Sequence, residues 1–193
     1  MVGGKERIWS GSGNAVVLLS GGLDSAACLH LLRSQGTNTL ALHISHGQPS
    51  EEFEAAAARR VADHYGVSLD TLAVAGGSGF EAGEISGRNA FFALAALMYR
   101  PFEAGVIAIG IHGGTPYKDC SSTFVEGAQR MFDLYTDGRV RLAAPFLEWS
   151  KAQVLDYCRT AEVPVDATYS CEHGTNPVCG NCLSCKDRQV MAS

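Results

Sequence analysis

The chain alternates short aliphatic runs with longer segments in which apolar residues recur every three or four positions. The first pattern suits strands and the second suits helices. Apolar runs at 15–19, 39–45, 67–73 and 106–111 predict four strands. Helical spacing predicts helices over 25–34, 51–65, 88–100, 122–134 and 150–160. The second of these carries acidic residues in its first turn and arginines later, as the helix dipole prefers. The third is apolar on most sides and predicts a helix buried between layers. Ser150 and Gln153 form a capping box that opens the last. The alternation predicts an α/β fold, a doubly wound and mostly parallel sheet. In such sheets ligands sit beyond the carboxyl ends of the strands, where strand order reverses. Loops 20–25, 45–48, 75–88 and 112–119 are therefore expected to converge.

Composition adds bounds. The chain has 193 residues, 46% hydrophobic and 18% charged, enough to bury a core and too apolar for disorder. It divides into an α/β body at 13–165 and a cysteine-rich segment at 166–193. A net charge of -5 gives no general attraction to nucleic acid, and Arg139 to Arg141 is too short a basic patch to supply one. No apolar run reaches 18 residues, and Met1 to Ser12 lacks a signal-type core, so no membrane partner and a cytoplasmic location are expected.

The chemistry begins at Ser20-Gly-Gly-Leu-Asp-Ser25, directly after the first strand. Its glycines allow backbone N–H groups to line a concave anion site, and the helix opening at Asp24 and Ser25 adds unpaired N–H groups and the positive dipole end. Ser20 and Ser25 add hydroxyls. The spacing is not that of a Walker loop. It resembles the PP-loop of ATP pyrophosphatases, which grip pyrophosphate while the α-phosphate is attacked. Gly76-Gly-Ser-Gly79 lacks a comparable context and reads as a flexible linker.

Seven cysteines call for a second account. Cys171, Cys179, Cys182 and Cys185 contain two overlapping Cys-x-x-Cys steps and can close a tetrahedral Zn²⁺ site. Four protein ligands leave no open position, so this metal is expected to be structural. His173 reads as a solvent-facing loop residue. Cys28, Cys120 and Cys158 read as buried small apolar residues. Phe91, Phe92 and Trp149 read as core. His43, His46 and His112 fall near strand ends, with His46 and His112 candidate general bases.

Beyond Ala15, the chain resembles the 7-cyano-7-deazaguanine synthase family, also called QueC or ExsB. The resemblance rests on Ser20 to Ser25, Gly47-Gln48, Gly87-Arg88-Asn89, Tyr117-Lys-Asp-Cys120, Pro145 to Lys151, and Thr168-Tyr-Ser-Cys171 with the three later cysteines. It implies the adenine nucleotide alpha hydrolase-like (HUP) fold and three cofactors, ATP, Mg²⁺ and Zn²⁺. It also implies adenylation of 7-carboxy-7-deazaguanine or a close analogue, then amide and nitrile formation with ammonia. Carried over by position, Asp24, Ser25, Arg88 and Asp119 are the catalytic candidates. Leu19, Ser20, Gly21, Gly22, Leu23, Asp24, Ser25, Gly47, Gln48, Arg88 and Asn89 are the nucleotide-binding candidates. A homodimer is also suggested by the resemblance.

The chain departs from that family in several places. The segment before Gly87-Arg88-Asn89 is short, the usual acidic pair after the fourth strand is replaced by Gly110-Ile-His-Gly-Gly-Thr115, and the string after the second strand reads Ser45-His-Gly-Gln-Pro-Ser50. Nucleotide-binding parts are kept while substrate-facing parts are changed. Two other readings therefore stay open: a ligase that joins the activated acid to a protein or peptide amine, and a catalytically silent nucleotide-binding module. A tRNA-thiolating enzyme would need a reactive cysteine near the adenylate, for which Cys28 is a poor candidate.

Overall fold

A computed structural model describes residues 13–75 and 83–192. The expectations made for Met1 to Ser12 and for Gly76-Gly-Ser-Gly79 lie outside the described residues.

Five parallel strands form one sheet in the order β3-β2-β1-β4-β5. These are β1 (Asn14–Leu18), β2 (Asn38–Ser45), β3 (Leu69–Ala73), β4 (Gly105–Ile109) and β5 (Val140–Ala143). The helices are α1 (Leu23–Ser34), α2 (Glu51–Tyr65), α3 (Arg88–Tyr99), α4 (Ser122–Thr136), α5 (Lys151–Thr160) and α6 (Leu183–Ala192). The doubly wound α/β expectation holds. One apolar layer packs α1, α2 and α5 on one face of the sheet, through Leu29, Leu32, Val61 and Val154. The other packs α3 and α4 on the opposite face, through Ala93, Leu97 and Phe132. Strand order reverses between β1 and β4, and the loops leaving their carboxyl ends frame the opening described below.

Three features differ from the sequence expectation. β5 was not anticipated. It has four residues, its Arg141 faces solvent, and it gains strand character from pairing Arg141 and Leu142 with Val106 and Ile107 of β4. α6 was also not anticipated, because metal-ligand spacing dominates its sequence. The third correction concerns α3. It is not buried on all sides: Ala93, Ala95, Ala96 and Leu97 face the sheet, while Phe91, Leu94 and Met98 are exposed. Helices form a single layer on each face, so an all-apolar helix must leave one side outward. Phe91 is thus a surface residue rather than core, whereas Phe92 packs against the core as expected and also lines the cavity. Trp149 is partly buried against Phe146 and Tyr157, as expected.

The capping box at Ser150 is present: its Oγ accepts from the Gln153 N–H, and the Gln153 Oε1 accepts from the Ser150 N–H at 2.8 Å. Cys28, Cys120 and Cys158 are buried, and His173 is exposed, as their sequence contexts predict.

Candidate active site

The loop between β1 and α1 is shaped by close packing. Gly21 has φ +90°, and a Cβ there would lie 2.4 Å from the Glu54 carbonyl oxygen of α2. No side chain fits that position. Gly110, at the end of β4, is equally constrained, since a Cβ would lie 2.5 Å from the Asp24 carbonyl oxygen. The two glycines draw α1, α2 and β4 together around one backbone curve. Within it, the Ser20 Oγ accepts from the Gly22 N–H at 3.2 Å and lies 3.1 Å from the Ser25 Oγ. Ser25 in turn donates to the Gly22 carbonyl at 2.8 Å. The result is a preformed cradle at a helix N-terminus, where anions are favoured.

A cavity of about 310 Å³ opens over this cradle. Its floor is apolar, formed by Leu18, Leu42, Ile44, Phe92 and Ile109, and its rim is charged. All four expected loops reach it. Leu19, Ser20, Gly22, Leu23, Asp24 and Ser25 line it, as do His46, Gln48, Arg88, Asn89, His112 and Tyr117. Gly21 and Gly47 stand behind the lining and shape their turns. Gly47, at φ +84°, gives its N–H to the Glu51 carboxylate at 2.8 Å. Gln48 bridges the His46 N–H and the Glu54 carboxylate. Arg88 opens α3, half-buried; its N–H donates to the Ile85 carbonyl at 3.1 Å, while its side chain makes no hydrogen bond or ion pair among the described residues.

Asp119 occupies a different place. It is buried, its Oδ2 accepts from the Asn89 N–H at 3.1 Å, and its carbonyl accepts from the Asn89 side chain. These bonds fasten the first turn of α3 from outside. Asp119 does not line the cavity, whereas its neighbour Cys120 does.

Sequence reasoning did not assign a role to Lys151. Its Nζ lies 2.8 Å from both carboxylate oxygens of Asp24, a residue 127 positions away. Lys151 is the first residue of α5, where the dipole disfavours a cation. A lysine at that helix start was the available signal. The C-terminal wall was also missed. Tyr169, Glu172, Leu183, Ser184, Asp187 and Arg188 close one side of the cavity. The Tyr169 N–H donates to the Gly21 carbonyl at 3.0 Å, and its ring stacks on Phe53 at 4.9 Å. Arg188 ties α6 to the carbonyls of Val165 and Thr168.

The three histidines near the strand ends, His43, His46 and His112, are buried. His112 accepts the Gly114 N–H at Nδ1, so its neutral form carries the proton on Nε2. That nitrogen faces Thr115 Oγ1 at 3.3 Å and Asp24 Oδ2 at 3.8 Å. It is a donor toward the cavity, and a base role would first require breaking the Gly114 bond. Burial pushes its pKa below the ordinary 6.5, Lys151 adding to the shift and Asp24 opposing it. Burial also lowers His46, with Arg88 adding to the shift. His43 lies against the Leu19 carbonyl, outside the cavity lining. The Cys120 thiol is pushed up to about 11 by burial, then by Asp119, and Cys28 to about 12 by burial. Neither is a thiolate nucleophile at neutral pH.

The sulfurs of Cys171, Cys179, Cys182 and Cys185 all lie within 4.8 Å of one another. Cys179 and Cys185 are 3.9 Å apart, close to the edge of about 3.8 Å expected for a tetrahedron with 2.3 Å bonds. The Cys179 N–H points at the Cys171 sulfur, and the N–H groups of Asn181 and Cys182 at the Cys179 sulfur. Sulfurs this close, stabilised by amide donors, fit one metal ion rather than a larger cluster that would spread them apart. The donor set suits zinc and leaves it closed to substrate.

The parallel sheet, its switch-point cavity and the Ser-Gly-Gly-Leu-Asp-Ser cradle define an α/β protein of the PP-loop type. At the level of fold alone, the chain is similar to the U34-tRNA thiolase NcsA from Methanococcus maripaludis with its [4Fe-4S] cluster (TM-score 0.55, 17% identity, 98% of this chain and 66% of that one). The family model described as queuosine biosynthesis protein QueC matches residues 14–82 and 77–191, and the chain belongs to the QueC family. It is 32% identical to the 7-cyano-7-deazaguanine synthase of Methanoculleus marisnigri, over 91% of both chains. It is 33% identical to that of Synechococcus sp. strain CC9605, again over 91% of both.

Proposed function

We propose that the chain is an ATP-dependent ligase that adenylates the carboxylate of 7-carboxy-7-deazaguanine or a close analogue. The observation that carries this reading is the cradle at Ser20 to Ser25, with the Asp24–Lys151 pair set beside it in one cavity. The names of the relatives support the deazaguanine substrate. A carboxylate oxygen attacks the α-phosphorus of ATP, the bond to pyrophosphate breaks, and an acyl adenylate forms. Ammonia then attacks the carbonyl carbon, loses a proton, and expels AMP to leave the amide. Repetition on the amide oxygen with a second ATP, followed by loss of AMP and a proton, gives the nitrile.

In this scheme Ser20, Gly22 and Ser25 bind the departing pyrophosphate through backbone N–H and hydroxyl donors. Lys151 turns from Asp24 toward the phosphates and supplies positive charge where negative charge develops. Asp24 would hold Mg²⁺, whose charge offsets that of the phosphates. Arg88 is aimed at the activated carboxylate, and the apolar floor accepts a flat ring. His112 donates from Nε2. The body at 13–165 binds the nucleotide, and the segment at 166–193 closes it with zinc on the cysteines. The raised Cys28 and Cys120 thiols disfavour a thiolating reading.

The test is AMP and pyrophosphate release from ATP, Mg²⁺ and 7-carboxy-7-deazaguanine, with and without ammonium, with products followed by mass spectrometry. Amide or nitrile that disappears in Asp24→Ala is the expected result. AMP formation without an ammonia-derived product would redirect the reading to another amine, such as a protein amine. No AMP under any condition would sink the reading for this acid.

A further inference from the structure

Lys151 has two carboxylates within reach. Its Nζ lies 2.8 Å from both oxygens of Asp24 and 3.8 Å from Oδ2 of Asp187. Asp24 belongs to the cradle on α1, whereas Asp187 comes from α6, the helix that carries Cys185, the last of the metal-ligating cysteines, in its first turn. Asp187 lines the cavity and makes no other ion pair among the described residues. Arg188, beside it, is turned to the carbonyls of Val165 and Thr168 and the Thr168 hydroxyl, to which both of its terminal nitrogens donate. Glu172, the other acid on that wall, is spent on the N–H and hydroxyl of Ser184. His112 stands on the far side of Asp24, with its protonated nitrogen facing the carboxylate. Asp187 is therefore the acid of the C-terminal wall placed to hold Lys151.

We infer that Asp187 is a positioning residue for Lys151, keeping the ammonium in the cavity once a polyphosphate and its cation occupy Asp24. A lysine side chain has four rotatable bonds and much rotamer freedom to lose when it is held in one place. When Asp24 turns to a metal ion, Lys151 loses its nearest counter-ion and would be free to swing outward. A second carboxylate, mounted on a helix pinned by four cysteines, limits that swing and leaves the ammonium facing the cradle. The inference rests on the reading that the cradle binds polyphosphate.

Simple charge counting predicts the opposite sign. Removing an acid beside an anion site should tighten anion binding. Positioning predicts that it loosens. The experiment is calorimetric titration of the metal-loaded full chain with Mg²⁺ and inorganic pyrophosphate, and separately with Mg²⁺ and ATP. The expected result is a Kd raised about three- to fivefold in Asp187→Asn, with affinity largely restored in Asp187→Glu. In a Lys151→Met background, Asp187→Asn should change nothing, because the residue acts through the lysine. Unchanged or tighter binding in Asp187→Asn at full metal content would overturn the inference. So would an equal loss in both backgrounds. Absence of pyrophosphate and ATP binding by the unsubstituted chain would instead overturn the polyphosphate reading, and this inference with it.

Discussion

Burial of His46 and His112 ties single residues to a pH dependence. Both imidazoles have pKa values lowered by burial, so both take up a proton less readily in the folded protein than in the unfolded chain. Below their ordinary 6.5, the unfolded chain takes up protons that the folded chain does not. Stability is therefore fully present above that pH and falls as pH drops toward the folded-state values. Urea denaturation between pH 7.5 and 5.5 should show this loss, and the slope should flatten in His46→Gln. An unchanged slope in that variant would remove His46 from the account. Residue identity alone made the cradle legible, because Ser20 to Ser25 is a contiguous string whose glycines have a local reason to be there. Lys151 was less legible. Its partner Asp24 is distant in sequence, and only its awkward position at a helix start hinted at a task.

At the scale of elements, α3 is held at its start by a residue it does not contain. Asp119 accepts the Asn89 N–H in the manner of an N-cap, while the actual N-cap, Gly87, has no side chain to offer. Asp119→Ala should lower unfolding stability by about 1 kcal/mol, within the range for lost caps. Chemical denaturation measures this directly. A variant of full stability but no AMP formation would instead restore Asp119 to the chemistry. Strand and helix boundaries could be read to within a few residues wherever the apolar period was clear, as in β1, β2 and α2. β5 escaped because four residues with one outward arginine carry too little pattern. α3 was misjudged for a different reason: periodicity measures how apolar a helix is, not whether neighbours exist to cover it.

For the molecule as a whole, the C-terminal segment matters more than its length suggests. Backbone pairing of Tyr169 with Gly21, ring stacking on Phe53, and the Arg188 bond to the Val165 carbonyl join it to the α/β body. Stripping the metal with a strong chelator should lower the Tm by at least about 5 °C, given roughly 2–4 °C per kcal/mol for chains of this size. Pyrophosphate affinity should fall with it, while far-UV circular dichroism stays near its starting value. Retained affinity in the stripped protein would separate the cysteine cluster from the site. The cysteines were evident from spacing, yet their nearness to the cradle was not, because no local pattern encodes a contact across more than a hundred residues.

That wall also sets an order of events. The cradle at Ser20 to Ser25 is translated before residues 169–188, which complete the cavity and come more than a hundred residues after it. A nascent chain can pair its strands early, but it presents a three-sided trough rather than a pocket. On the proposed reading, competence for nucleotide would thus arrive late in synthesis and depend on metal supply, and a cell short of that metal would accumulate folded yet idle protein.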